Sequence, residues 1–370
     1  MHPMSVMIKP ASANCNLKCK YCFYADEAQN RTIYNYGFMS EEILENTIKL
    51  FLQNAKGSCH FAFQGGEPTL AGLSFFEKVI EFEKKYKKPN LYISNAIQTN
   101  GTLLDRDWCE FFSKNNFLVG LSLDGIKQTN DIFRIQQNTK GSYNKILRAT
   151  QLLENYKVEF NILTVVTPPI VHNITTIYNF YKKNKWLYQQ YTACMEPLEE
   201  LWGNSEYSLS PKDYGVFLDK LFQLWFSDLK RGTVIYIRYF NNLMLILKGM
   251  QPESCAMTGH CNIQYVVEAD GSVFPCDFYS VDEYLLGNIS NNNINELDNK
   301  RNDIKFIEKS LEKSVECINC QWFSLCRSGC RRDWTIDLNS KSYYCESFKY
   351  FFSRNIENLK LASSWLYHKS

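Results

Sequence analysis

Three cysteines near the start of the chain, Cys15, Cys19 and Cys22, constrain it more than any other feature. Three thiolates on one short loop can each bond one iron of a 4Fe–4S cube and leave the fourth iron without a protein ligand. An amino-acid chelate through its amino and carboxylate groups would suit that iron. A second ordered series follows: Cys255, Cys261, Cys276, Cys317, Cys320, Cys326, Cys330 and Cys345. Eight thiolates can fill two further cubes completely. Eleven of the 14 cysteines therefore fall into two sets, and redox or radical chemistry is the reading they favour. Zinc competes for both sets, and Cys317-x2-Cys320 alone would favour it. A zinc-stabilised binding protein without catalysis stays open at this stage.

Composition narrows the rest. The 370 residues predict one large and one smaller domain, and 45% hydrophobic residues are enough for a sizeable core. A net charge of +2 without a clustered basic face argues against nucleic acid. No run of 18 apolar residues predicts a membrane span. The opening segment does not resemble a signal peptide, so a cytoplasmic, reducing setting is expected. There, clustered cysteines read as metal or catalytic ligands and not as disulfides. Cys59 and Cys109 lie outside both sets and read as small buried hydrophobes, while Cys194 near a strand end is less defined.

Strand-like and helix-like segments alternate through the first two-thirds. Strands are expected at 5–9, 59–63, 91–99, 117–123, 158–166 and within 187–195. Helices are expected at 41–54 with Ser40 as N-cap, and at 74–86, 105–114, 143–156 and 172–183. Two bridging helices follow at 211–231 and 238–248. This alternation predicts an α/β fold with a parallel sheet. Six units fit better than eight, so a curved, partial (β/α)6 TIM-like barrel is expected. Functional groups should lie on loops after the strands' C-terminal ends. From about residue 251 periodicity fades and cysteines become dense. Domains are expected at 1–235 and 236–370, the second including a bridging helix.

Cys15-x3-Cys19-x-Tyr21-Cys22 resembles the signature loop of radical S-adenosylmethionine enzymes. Gln64-Gly65-Gly66-Glu67-Pro68, one unit later, looks like that family's glycine-rich motif. Its two glycines would let backbone carbonyls approach the methionine ammonium. The resemblance implies that Tyr21 lies near adenine and that Ser122 contacts the ribose or carboxylate. It implies that Arg134 pairs with the methionine carboxylate and that Met195 touches adenine. The cofactor-binding set is then Tyr21, Gly65, Gly66, Glu67, Ser122, Arg134 and Met195. Two positions depart from the usual pattern: Ile126, where relatives often carry proline, and Asn130-Asp131, where many have His-Asp.

The C-terminal series resembles the SPASM extension of a radical S-adenosylmethionine subfamily, which carries two auxiliary 4Fe–4S clusters. By that resemblance Cys255, Cys261, Cys276 and Cys330 hold one cluster, and Cys317, Cys320, Cys326 and Cys345 the other. Cys15, Cys19 and Cys22 hold a third. Nearly the whole chain is similar to anaerobic sulfatase-maturating enzymes. Those oxidise a cysteine or serine of a nascent sulfatase to Cα-formylglycine with a 5′-deoxyadenosyl radical made from S-adenosylmethionine. In them an aspartate after the third of these cysteines is the proposed base, and Asp277 stands there. By its residue context alone, Asp277 would read as a loop carboxylate that positions Cys276. The implied partners are a sulfatase polypeptide and a low-potential donor such as flavodoxin or ferredoxin. Tyr24, Gln64, Gln98 and Asn100 are candidate lining residues by position. The alternative is another SPASM-type peptide modifier that forms thioether crosslinks or matures a peptide cofactor. Many of those carry a recognition domain before the triplet, and Cys15 lies too near the start for one.

Overall fold

The computed structural model describes residues 3–198, 202–334 and 340–366. Six parallel strands form the first part: β1 (Met4–Ile8), β2 (Ser58–Phe63), β3 (Tyr92–Thr99), β4 (Leu118–Ser122), β5 (Phe160–Val166) and β6 (Tyr188–Ala193). They pair in chain order, as short right-handed β–α crossovers require. The expected six-unit partial barrel is this arrangement. Two-residue β7 (Tyr236–Ile237) adds to β6 in parallel.

The C-terminal part joins the same sheet. Strand β8 (Tyr265–Val267) pairs in parallel with β1, and β9 (Ser272–Phe274) and β10 (Gly287–Asn288) continue antiparallel. The order β10-β9-β8-β1-β2-β3-β4-β5-β6-β7 leaves the sheet open, with no pairing of β10 to β7. Strand β1, the first in chain order, therefore sits inside the sheet. This places the loop after β9 beside the loops after β1 and β2.

Helices α1 (Phe23–Gln29), α2 (Glu41–Asn54), α3 (Leu73–Tyr86), α4 (Arg106–Lys114), α5 (Lys127–Phe133), α6 (Tyr143–Asn155) and α7 (Pro168–Lys183) cover the parallel strands. Ser40 caps α2, its hydroxyl accepting from the Ile43 amide at 3.2 Å. The expected start of α7 at 172 is corrected to Pro168, because proline suits a first helical turn that needs no N–H. Helices α8 (Pro211–Lys230) and α9 (Arg238–Leu247) bridge to the second part. A long C-terminal helix, Cys345–Leu366, packs along α8 and corrects the expectation of fading regularity after residue 251. The core is continuous across both parts, from Val6, Phe61 and Phe63 through Ile162 and Phe222 to Tyr265, Phe351 and Leu359. Cys59, Cys109 and Cys194 are buried in it. No described helix is long and apolar enough to cross a membrane.

Candidate active site

The loop after β1 carries Cys15, Cys19 and Cys22, and α1 starts directly after Cys22. The turn after β2 braces that loop from below. Gly66 N donates to Ser12 O at 2.8 Å and Glu67 N donates to Asn14 O at 2.8 Å. A Cβ on Gly66 would stand 2.0 Å from Asn14 O, so only glycine lets the two backbones meet. Gly65 has φ +124° and allows the Lys9 stem to pass, since a Cβ there would sit 3.2 Å from Lys9 Cβ. In this structure both glycines seat the cysteine loop by their lack of side chains. Gly66→Ala is expected to cost about 3 kcal/mol, read as a lower midpoint in anaerobic urea unfolding.

Glu67 is buried and spent on the fold. Its Oε1 accepts from the Thr69 and Thr99 hydroxyls, each at 2.6 Å, and its Oε2 accepts from Asn100 N at 2.8 Å. It thereby locks the β2 and β3 loops together. Asn100 in turn donates to Asn16 Oδ1 at 2.8 Å and approaches Cys15 Sγ at 3.9 Å. Gln98 is half-buried on β3.

On the other side of the triplet, Tyr21, Asp124 and Arg134 form a buried group. The Tyr21 hydroxyl donates to Asp124 Oδ2, and Arg134 Nη1 donates to the Tyr21 hydroxyl at 2.9 Å. Asp124 Oδ1 accepts from Val165 N at 2.9 Å, which fixes the group to β5. Burial works against the Arg134 cation, but Tyr21, Cys19 and Asp124 around it raise its pKa well above the usual value. Arg134 Nε is buried without a partner among the described residues. Ser122 ends β4, buried. Met195 is half-buried two residues past the end of β6. Asp124 escaped the sequence reading as a site residue, although it stands between the two motif positions Ser122 and Arg134.

The thiols fit iron–sulfur clusters. Burial pushes Cys15 and Cys19 up to about 12, Glu67 raising the first further and Arg134 opposing the rise in the second. A cluster would replace these protons and satisfy the buried sulfurs. In the C-terminal part, Cys317, Cys320, Cys326 and Cys345 line one cavity together with Trp322 and Phe348. Burial pushes Cys276 well up, and neighbouring Cys330 and Cys255 add to it. Burial likewise raises Cys330, with Cys255 and Cys261 among its neighbours. Four of the eight thiols thus share one cavity, and Cys255 is a neighbour of both Cys276 and Cys330. Among the described residues, no three His, Cys, Asp or Glu side chains converge as a single metal ion requires. A cube asks for no such convergence, since each thiolate takes its own iron.

Asp277 opens a short turn, Asp277–Tyr279, directly after Cys276. Gln64 Nε2 donates to its Oδ2 at 2.7 Å. Lys9 Nζ stands 2.8 Å from its Oδ1 as an ion pair, without the alignment of a hydrogen bond. Phe278 packs edge-on against Phe23 of α1, ring centroids 5.0 Å apart, which holds this turn near the cysteine loop. Tyr24 is buried, and its hydroxyl donates to Glu268 Oε1, the oxygen that Arg31 Nη1 holds at 2.7 Å. Glu27 lies close by, 1% exposed, with neither oxygen hydrogen-bonded among the described residues. Burial raises its carboxyl well above the usual range; Lys9 opposes that and Asp277 adds to it. Lys9, like Asp124, went unnoticed in the sequence; its place at the C-terminal end of a parallel strand was the available signal.

Comparison with known proteins agrees with this geometry. Residues 10–179 match the radical SAM superfamily, and residues 255–321 match an iron–sulfur cluster-binding domain, SPASM. A cysteine-type anaerobic sulfatase-maturating enzyme of Clostridium novyi is 46% identical over all of both chains. A serine-type enzyme of Bacteroides thetaiotaomicron is 32% identical, covering 95% of this chain and 89% of its own. The solved structure of anSMEcpe with bound AdoMet and a Cp18Cys peptide superposes with a TM-score of 0.92 at 44% identity. The match covers 99% of this chain and all of that one. This chain is accordingly an enzyme that uses S-adenosylmethionine and 4Fe–4S clusters, one in the radical domain and two auxiliary. Similar over its whole length in sequence and in fold, the chain belongs to the anaerobic sulfatase-maturating enzymes of the radical S-adenosylmethionine superfamily.

Proposed function

We propose that this chain oxidises a target cysteine of a sulfatase polypeptide to Cα-formylglycine, with Asp277 as the base. The observation that carries this reading is Asp277 itself: a buried carboxylate that accepts from Gln64 Nε2, next to Cys276 and beside the triplet loop. We divide the chain at 235/236 into a radical part and a cluster-rich part. Cys15, Cys19 and Cys22 hold the radical cluster. Cys255, Cys261, Cys276 and Cys330 hold the first auxiliary cluster, and Cys317, Cys320, Cys326 and Cys345 the second. When bound, these groups and S-adenosylmethionine would supply a 5′-deoxyadenosyl radical and an acceptor for one electron.

The chain's own residues do the rest. Arg134, with its unpaired buried Nε, offers a charged grip for the methionine carboxylate. Tyr21, Ser122 and Met195 complete the nucleoside side, and Gly65 and Gly66 leave room for backbone at the ammonium. Glu67 contributes by locking the loops. After a hydrogen atom leaves the substrate Cβ, Asp277 takes the thiol proton and Gln64 keeps the carboxylate turned toward it. Loss of one further electron, which an auxiliary cluster would accept, leaves a thioaldehyde, and water converts it to the aldehyde with release of hydrogen sulfide. The electron needed for each turnover comes from a flavodoxin- or ferredoxin-type donor in a reducing cytoplasm.

Cysteine is favoured as target because the cysteine-type relative is 46% identical and the serine-type relative 32%. The test is anaerobic incubation of reconstituted enzyme with a reductant, S-adenosylmethionine and two sulfatase-motif peptides differing only in Cys or Ser. Formylglycine on the cysteine peptide at least ~10-fold faster than on the serine peptide is expected, a margin worth about 1.4 kcal/mol. Deoxyadenosine with neither peptide changed would reject the substrate.

A further inference from the structure

Lys9 is a buried lysine that the reaction scheme above does not use. It follows β1 directly and its side chain is 0% exposed. Its amide donates to Val267 O of β8 at 2.9 Å, so its backbone is fixed to both parts of the chain. Its ammonium is 2.8 Å from Asp277 Oδ1, 3.4 Å from Ser280 Oγ and 3.6 Å from the centroid of the Tyr24 ring. That ring cannot drift, because Glu268 and Arg31 hold its hydroxyl end. Gly65 is bare where the Lys9 stem passes.

A fully buried ammonium is costly, and a well-packed apolar side chain of similar volume would often serve stability as well. The fold nevertheless keeps Lys9, clamped between an aromatic face and one oxygen of Asp277. Asp277 sits on a short turn whose carboxylate would otherwise be steered by Gln64 alone. A second anchor on the other oxygen removes the remaining rotation about the carboxylate. Resting on the assignment of Asp277 as base, we infer that Lys9 is a positioning residue, which holds one carboxylate oxygen so that the free lone pairs of Asp277 face the substrate heteroatom. The substrate proton goes to Asp277. Glu27, Glu268, Arg31 and Arg332 are the other charged groups around this cluster, and none of them replaces the Lys9 contact to Oδ1.

The test compares wild type, Lys9→Met, Lys9→Gln, Asp277→Asn and the double variant Lys9→Met/Asp277→Asn. All are reconstituted and assayed with the cysteine peptide for formylglycine, deoxyadenosine, peptide KM and iron content. Losing the clamp is expected to lower the ratio of formylglycine to deoxyadenosine by about 100-fold, the scale of an ångström-level misplacement. Lys9→Gln, which retains a hydrogen-bond donor, should fall between wild type and Lys9→Met. Peptide KM and iron per chain should match wild type. In the Asp277→Asn background Lys9→Met should cost nothing further, because its effect passes through the lost carboxylate. Multiplying losses in the double variant, a lowered iron content, or an unchanged product ratio would each overturn the inference. Wild-type enzyme that makes no formylglycine rejects the proposed reaction, and undiminished product from Asp277→Asn rejects the base and Lys9's role with it.

Discussion

Asp277→Asn is expected to lower formylglycine formation by about 10²- to 10⁴-fold, the usual contribution of a positioned base. Asparagine nearly matches aspartate in size, so the turn after Cys276 should survive. What disappears is the negative charge that faces Lys9 at 2.8 Å and the oxygen that accepts a proton. The Tyr21, Asp124 and Arg134 group lies on other loops and does not touch Asp277. Deoxyadenosine should therefore still form, uncoupled from the aldehyde. Anaerobic turnover with both products measured by mass spectrometry reads this directly. Aldehyde formed at the wild-type rate would remove Asp277 from the mechanism.

The triple change Cys15→Ala, Cys19→Ala and Cys22→Ala is expected to abolish cleavage of S-adenosylmethionine and to lower iron from about 12 to about 8 atoms per chain. The two C-terminal groups of thiols lie on separate elements. Cys326 follows the Trp322 turn, Cys345 opens the long C-terminal helix, and Cys276 ends the β9 loop. None of them depends on the triplet for its position. Small alanines leave the backbone bonds of Gly66 to Ser12 and Glu67 to Asn14 intact, so the loop should keep its course. Iron analysis and deoxyadenosine assay suffice. A triple variant that still splits the cosubstrate would mean that radical formation resides elsewhere.

Local signals made much of this protein legible. The helix α2 follows from the spacing of Leu44, Ile48, Phe51 and Leu52 and from a Ser40 cap, both local. Cysteine spacing marked the ligand candidates because short loops fix which thiols can meet. The C-terminal helix was harder to see because its buried face includes Ser347, Asn355, Ala362 and Ser363, which dilute the apolar stripe. Asn355 is buried by pairing with Gln223 and Asp219 of α8, a polar contact that no periodicity announces. Seven-residue α1, without a side-chain cap, gave too little pattern, and β8 to β10 are two or three residues long.

Residue order alone determined the parallel β–α scaffold, the thiols that are candidates to hold iron, and the chemistry of the family. Those rest on short-range spacing and periodicity, which a linear chain displays openly. Only the tertiary structure decided that Lys9, Gln64 and Asp277 share one carboxylate, that Glu67 is a brace, and that Tyr21 and Arg134 meet over Asp124. The cause is the pairing of β8 with β1, which carries the loop after β9 back to the opening strand. Contacts between such distant segments depend on which sheet edge is left to pair, and that is set by the packed molecule as a whole.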